Sequence, residues 1–91
     1  MPRLLITAQV EDLDKWEQGF RTHGALFREQ TVTGIHFAKS DGNEVAVYFE
    51  MDDLAKYMEI LESPVTAEAM GADGIIKDSV KVHVLDNQFE L

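Results

Sequence analysis

A chain of 91 residues with 17 acidic and 8 basic side chains, a formal net charge of −9 and no cysteine excludes several classes at once. Phosphate contacts need clustered Lys and Arg, so neither nucleic acid nor an anionic membrane is an expected partner; the missing cysteines rule out a disulfide framework and a Cys-based metal site, and fit an intracellular, cytoplasmic protein. This length makes one domain, residues 1–91, which buries only about two thirds of its surface, a small core for which self-association is a common supplement.

The N-terminal run MPRLLITAQV is too short for a membrane span and lacks a small-residue cleavage site, so it reads as a strand. From Arg3 to Val10 the chain alternates, with Leu4, Ile6, Ala8 and Val10 on one face and Leu5, Thr7 and Gln9 on the other. Asp12 is a good N-cap for a first helix, and acids in its first turn suit the helix dipole. Leu13, Trp16, Phe20, His23/Gly24 and Phe27 form its inner stripe. Gly19 and Gly24 each weaken a helix by up to about 1 kcal/mol relative to Ala, and Gly24 is a place for the segment to break, leaving Ala25 to Gln30 as a separate turn. His23, at the apolar edge, reads as a packed or helix-end histidine within reach of a cavity below.

Thr33 to Met51, TGIHFAKSDGNEVAVYFEM, is the strongest local signal. Two alternating runs flank Ser40-Asp41-Gly42-Asn43, whose Gly and Asn supply the positive φ of a hairpin loop. One face carries Ile35, Phe37, Val45, Val47 and Phe49; the other carries His36, Ala38, Ala46, Tyr48 and Glu50. Asp52-Asp53 caps a second helix with Leu54, Tyr57, Met58 and Leu61 inside. Ser63-Pro64 restarts it, Ser at the N-cap and Pro at the first helical position. This third, short helix is expected to turn Val65, Ala69 and Met70 inward and to stop at Gly71. Ile75-Ile76 then anchors a loop. Ser79 to Asp86 alternates as a fourth strand, with Val80, Val82 and Val84 opposite Lys81, His83 and Leu85. The tail brings Phe89 and Leu91, two apolar residues suited to packing on a neighbouring subunit.

Strand, helix, strand, strand, helix, strand is the ferredoxin-like βαββαβ order. The fold class is α+β, an antiparallel four-stranded sheet in the order 4-1-3-2. Right-handed crossovers place the helices on one face. The uncovered face is too apolar for a solvated sheet and too polar for an ordinary core, which points to a cover from a second copy.

Trp16-x3-Phe20, the hairpin ending Asn43-Glu44-Val45-Ala46-Val47-Tyr48-Phe49-Glu50, Asp53 at a helix start, and Ser63-Pro64 followed by Glu68-Ala69-Met70 resemble the dimeric α/β-barrel superfamily over nearly the whole chain. The likeness is nearest to its uncharacterised, cyclase-like or stress-response-like subgroup. That superfamily includes cofactor-independent oxygenases of the antibiotic-biosynthesis type, haem-degrading oxygenases, polyketide cyclases and muconolactone isomerase. The resemblance implies a homodimer, with a cavity inside the barrel or between each sheet and its helices. It also implies that strand two of one subunit meets strand four of the other, which brings His36 and the second copy's His83 onto one closed surface beside Tyr48 and Glu50.

Those four residues are the candidate catalytic set. Histidine exchanges protons near neutral pH, a dry cavity drives a carboxylate toward its neutral form, and a tyrosine donates to a developing oxyanion. The expected function is an acid–base enzyme of cyclase, isomerase or cofactor-independent oxygenase type acting on a mainly apolar small metabolite. The alternative is a non-catalytic dimer that binds a small molecule or serves as an accessory module, His36, Tyr48, Glu50 and His83 then being a hydrogen-bonded network that fixes register. Two histidines and a glutamate match a metal triad in composition but not in any known local spacing, so no metal and no cofactor is expected. Phosphate-loop, GxSxG, HExxH and EF-hand signatures are absent.

Overall fold

The computed structural model describes residues 2–91. Strands β1 (Arg3–Gln9), β2 (Val32–Ser40), β3 (Glu44–Met51) and β4 (Lys81–Val84) form one antiparallel sheet in the order β2-β3-β1-β4. This is the expected ferredoxin-like topology, with strands one and three central. The helical segments are α1 (Leu13–Phe20), α2 (Gly24–Glu29), α3 (Leu54–Leu61) and α4 (Pro64–Ala72), with a 3-10 turn at Lys77–Ser79 before β4. No helix among the described residues is long and apolar enough to cross a membrane.

Local chemistry sets the boundaries. The Asp12 carboxylate accepts from the Asp14 and Lys15 N–H groups and starts α1. The first helical stretch breaks after Phe20, where the Thr22 hydroxyl and N–H both bond the Gly19 carbonyl. Residues 24–29 then form the separate turn expected from Gly24. Asp53 caps α3 through the Lys56 N–H. Ser63 holds the N-cap position of α4, but its hydroxyl donates back to Ile60 O instead of capping; Pro at the first helical position carries the start.

Three expectations at the C-terminal end are corrected. Helix α4 does not stop at Gly71. It runs to Ala72, and Gly74, at φ +77°, is the residue that ends it. Gly74 N–H bonds Gly71 O and Ile75 N–H bonds Met70 O, the paired bonds of a Schellman motif that needs a left-handed residue at that position. Val65 faces solvent, and Thr66 points inward in its place, its hydroxyl donating to Ile60 O. Strand four spans four residues, not the eight from Ser79 to Asp86, because Lys77–Ser79 is taken up by the 3-10 turn and pairing with β1 ends at Val84.

The core is the inner face of the central strands closed by one aromatic from each helical pair. Leu4, Ile6 and Val10 from β1 and its extension meet Val45, Val47, Phe49 and Met51 from β3, with Trp16 and Tyr57 above. Each such side chain contributes about 1.5–3 kcal/mol on burial. The cover stops short of β4. Val82 and Val84 stay exposed although they face the helical side, and an open apolar groove of about 770 Å³ runs between α3, α4 and β4.

Candidate active site

The register places His36, Tyr48, Leu5 and His83 in one rung across the uncovered face of the sheet, since His36 pairs with Tyr48, Tyr48 with Leu5, and Leu5 with His83. His36 and Tyr48 are neighbours, with ring centroids 5.9 Å apart. The Tyr48 hydroxyl donates to Glu50 Oε1 at 2.8 Å, and this bond to a carboxylate holds the phenol above its ordinary pKa. His83 is three strand spacings from His36, about 14 Å, so one chain brings together His36, Tyr48 and Glu50 and leaves His83 at the far edge. His36 and His83 are exposed. Among the described residues no group of three or more His, Asp or Glu side chains is arranged to hold a metal ion.

A different set of polar groups gathers on the other side of the sheet. A cavity of about 70 Å³ lies between the sheet and the helices. Its lining is mostly aromatic and aliphatic, with Trp16, Phe20, Phe27, Phe49 and Tyr57 around it. Trp16 stacks on Phe20 at 4.8 Å between centroids, and Phe27 and Tyr57 each lie 5.6 Å from Phe49. Burial pushes the Tyr57 phenol well above its ordinary pKa. Four further polar side chains reach this lining: His23, Gln30, Thr66 and Asp73.

His23 Nε2 and Asp73 Oδ2 are 2.8 Å apart, and the Asp73 residue is 6% exposed. The two lie 50 residues apart in the chain and meet because of how two helices end. The break after α1 leaves His23 at the N-cap position of α2, its N–H on Phe20 O and its carbonyl accepting from Phe27 N–H. The Schellman end of α4 leaves Asp73 at the C-cap, against α1. Gly19 makes room for it: a methyl group there would overlap Asp73 Oδ1 and sit 2.8 Å from Cγ. A carboxylate on the imidazole fixes which nitrogen carries the proton, leaving the other to act as acceptor. The chemistry such a pair offers is proton transfer at the wall of a mainly apolar cavity.

Sequence reasoning flagged His23 as able to reach a cavity but missed Asp73, Gln30 and Gly19. The signal for Asp73 was the Asp73-Gly74 dipeptide. Placing the helix end at Gly74 instead of Gly71 puts Asp73 at the C-cap facing inward.

A sheet in the order β2-β3-β1-β4 with its helices on one face is the ferredoxin-like fold. Among solved structures, the chain superposes on a Bordetella bronchiseptica protein provisionally described as an antibiotic biosynthesis monooxygenase, with a TM-score of 0.76 at 14% identity over 97% of each chain. It is similar to SnoaB of Streptomyces nogalater, described as a cofactor-independent oxygenase, with a TM-score of 0.73 at 12% identity over 99% of this chain and 95% of SnoaB. A third match is At3g17210 of Arabidopsis thaliana, with a TM-score of 0.70 at 13% identity over 100% and 99% of the two chains. No family model and no curated protein matches the sequence. At these identities the likeness is one of fold.

Proposed function

We propose that this protein is a small acid–base enzyme acting on a mainly apolar metabolite held between the sheet and the helices, with His23 as the proton-transferring group and Asp73 as its positioning residue. The observation that carries this is the 2.8 Å His23–Asp73 pair on the wall of an otherwise apolar cavity. With the Nε2 proton donated to Asp73, Nδ1 is the nitrogen left to take a proton from a bound molecule. Asp73 then stabilises the imidazolium that forms. Removing a proton next to a carbonyl or from an acidic hydroxyl is the step that a cyclase, an isomerase and a cofactor-independent oxygenase share. SnoaB and the other oxygenase-type structures of this fold make the third a natural member of that set.

The inner cavity alone is small. A cavity of about 150 Å³ is what holds benzene, roughly twice the volume here. Leu61, Met70, Ile75 and Val80 line both this cavity and the outer groove, so only apolar side chains stand between them. Met70, unbranched and flexible, is the one most easily moved aside. In this reading the reacting end of the substrate enters the cavity and its body lies in the groove. The test is hydrogen–deuterium exchange at the acidic carbon of 2-tetralone in D2O, followed by NMR. The expected result is catalysed exchange that falls about 100-fold or more in His23→Ala and less steeply in Asp73→Asn. Exchange at the same rate in wild type and His23→Ala refutes the role of His23.

The rung of His36, Tyr48, Leu5 and His83 belongs, in the same reading, to a homodimer contact. Tyr48 is already engaged by Glu50, His36 and His83 are exposed, and a second copy laid across this face would bring the two edges together. Light scattering at micromolar concentration is expected to give the mass of a dimer, and a monomer refutes it. If His36→Ala and His83→Ala weaken that dimer while tetralone exchange persists within it, the outer rung serves assembly; if they abolish exchange in an intact dimer, the catalytic set expected from sequence replaces His23.

A further inference from the structure

We infer that Gln30 is the specificity-determining residue of the inner cavity: its side-chain oxygen accepts a hydrogen bond from a hydroxyl group on an otherwise apolar ligand. Gln30 is 2% exposed and lines the cavity. Its Oε1 is the one buried side-chain oxygen or nitrogen without a hydrogen-bond partner among the described residues. Buried amides are nearly always paired, and leaving one unpaired is costly. The fold holds this one in place. Gln30 closes α2 with its N–H on Leu26 O, and the next residue, Thr31, adopts φ 64°, a conformation rare for a β-branched side chain. The Thr31 hydroxyl is tied to the start of α3, accepting from Asp53 N–H at 3.0 Å and donating to Asp53 O at 3.3 Å. The backbone under Gln30 is therefore fixed on both sides, and its side chain forms part of the lining of a space whose other walls are mainly apolar.

An acceptor presented by a rigid element into an apolar space selects for a donor. A site built around such a group discriminates strongly against a ligand lacking the matching hydroxyl, because the group then stays unpaired. His23 and Gln30 stand at the two ends of α2, about 10 Å apart along the backbone, so proton transfer and hydroxyl recognition fall on different parts of the ligand. The inference rests on the cavity being the ligand site, as proposed above, but not on any catalytic step.

The experiment compares phenol with toluene, equal in shape and differing by hydroxyl against methyl; either ring exceeds the inner cavity, so it enters with Met70 moved aside and part of it in the groove, as proposed above for the substrate. Dissociation constants come from NMR titration of the full-length chain, read at the indole N–H of Trp16, its single tryptophan, which lines the cavity. Phenol loses more on leaving water, so an apolar cavity without an acceptor favours toluene. The expected result is that wild type binds phenol at least as tightly as toluene. Gln30→Met and Gln30→Leu, whose folding is checked by circular dichroism, are expected to weaken phenol about tenfold and to leave toluene unchanged or tighter. Toluene preference in wild type, or phenol binding that survives both substitutions, overturns the inference. If neither probe shifts the Trp16 resonance, this inference and the ligand-site reading fail together. If phenol binds through Gln30 but tetralone exchange is uncatalysed, the enzyme reading alone fails.

Discussion

Glycine-to-alanine substitution at two helical positions tests the geometry of the inner site with opposite expected signs. Gly19 lies in the last turn of α1 and Gly71 in the last turn of α4; neither has a positive φ, so alanine is allowed by the backbone at both. On propensity alone each substitution stabilises by up to about 1 kcal/mol. At Gly71 the added methyl meets nothing within 4 Å, and the full gain is expected. At Gly19 it overlaps the Asp73 carboxylate, and the nearest relief is rotation of Asp73 away from His23. That forfeits a hydrogen bond between two largely buried groups, worth about 1.5–3 kcal/mol when one partner is charged, and leaves the carboxylate to find new partners. The loss exceeds the propensity gain, so Gly19→Ala is expected to be destabilised by about 1 kcal/mol net. Urea unfolding followed by circular dichroism measures both. In a domain of this size the two variants should then melt on opposite sides of wild type, each by about 4–8 °C per kcal/mol. If Gly19→Ala is stabilised as much as Gly71→Ala, Asp73 is not held against α1 and the positioning of His23 loses its physical basis.

The remaining expectations concern single groups. Asp12→Ala removes a carboxylate that accepts from two backbone N–H groups and should cost about 1 kcal/mol by urea titration, whereas Ser63→Ala, whose hydroxyl makes no cap bond, should lose through its bond to Ile60 O instead. Tyr48 should titrate above its ordinary value of 10.0 because Glu50 accepts its proton. A phenol whose folded pKa is raised contributes stability that is complete below the unfolded value and is lost as pH rises through the folded one. Absorbance titration at alkaline pH should therefore show both tyrosines late, of which Glu50→Gln returns one toward 10, and no change on that substitution would break the assignment. Tyr57, raised by burial alone, should ionise only as the fold opens.

The topology and most element boundaries could be read from the sequence because they depend on short-range patterns. Alternation over Arg3–Val10 and over the hairpin fixed which side chains are buried, and Asp12, Asp53 and Pro64 each marked a helix start through interactions spanning a few residues. The errors fell where two local signals competed. Gly71 and Gly74 both suit a helix end, and only the later one takes the positive φ; a helix ending at Gly71 leaves Asp73 in a loop. The valines of β4 alternate like a core strand, yet their cover depends on where α3 and α4 cross the sheet, which no local pattern encodes.

The same distinction explains why the two candidate sites differ in how visible they were. His36, Tyr48, Glu50 and His83 share a face by strand parity alone, so the sequence placed them together, but parity says nothing of what lies above them. His23 and Asp73 share no element and no spacing. They meet only because α1 breaks after Phe20, α4 runs to Ala72, and Gly19 lacks a side chain where the two ends touch. A proton-transfer site needs groups held apart from water as well as close to each other. On the open face of the sheet that condition depends on a second copy. Beneath the helices a single chain goes most of the way, with the His23 side chain 22% and the Asp73 side chain 8% exposed beside a mainly apolar wall. For that reason we propose the inner site for the chemistry and the outer rung for assembly.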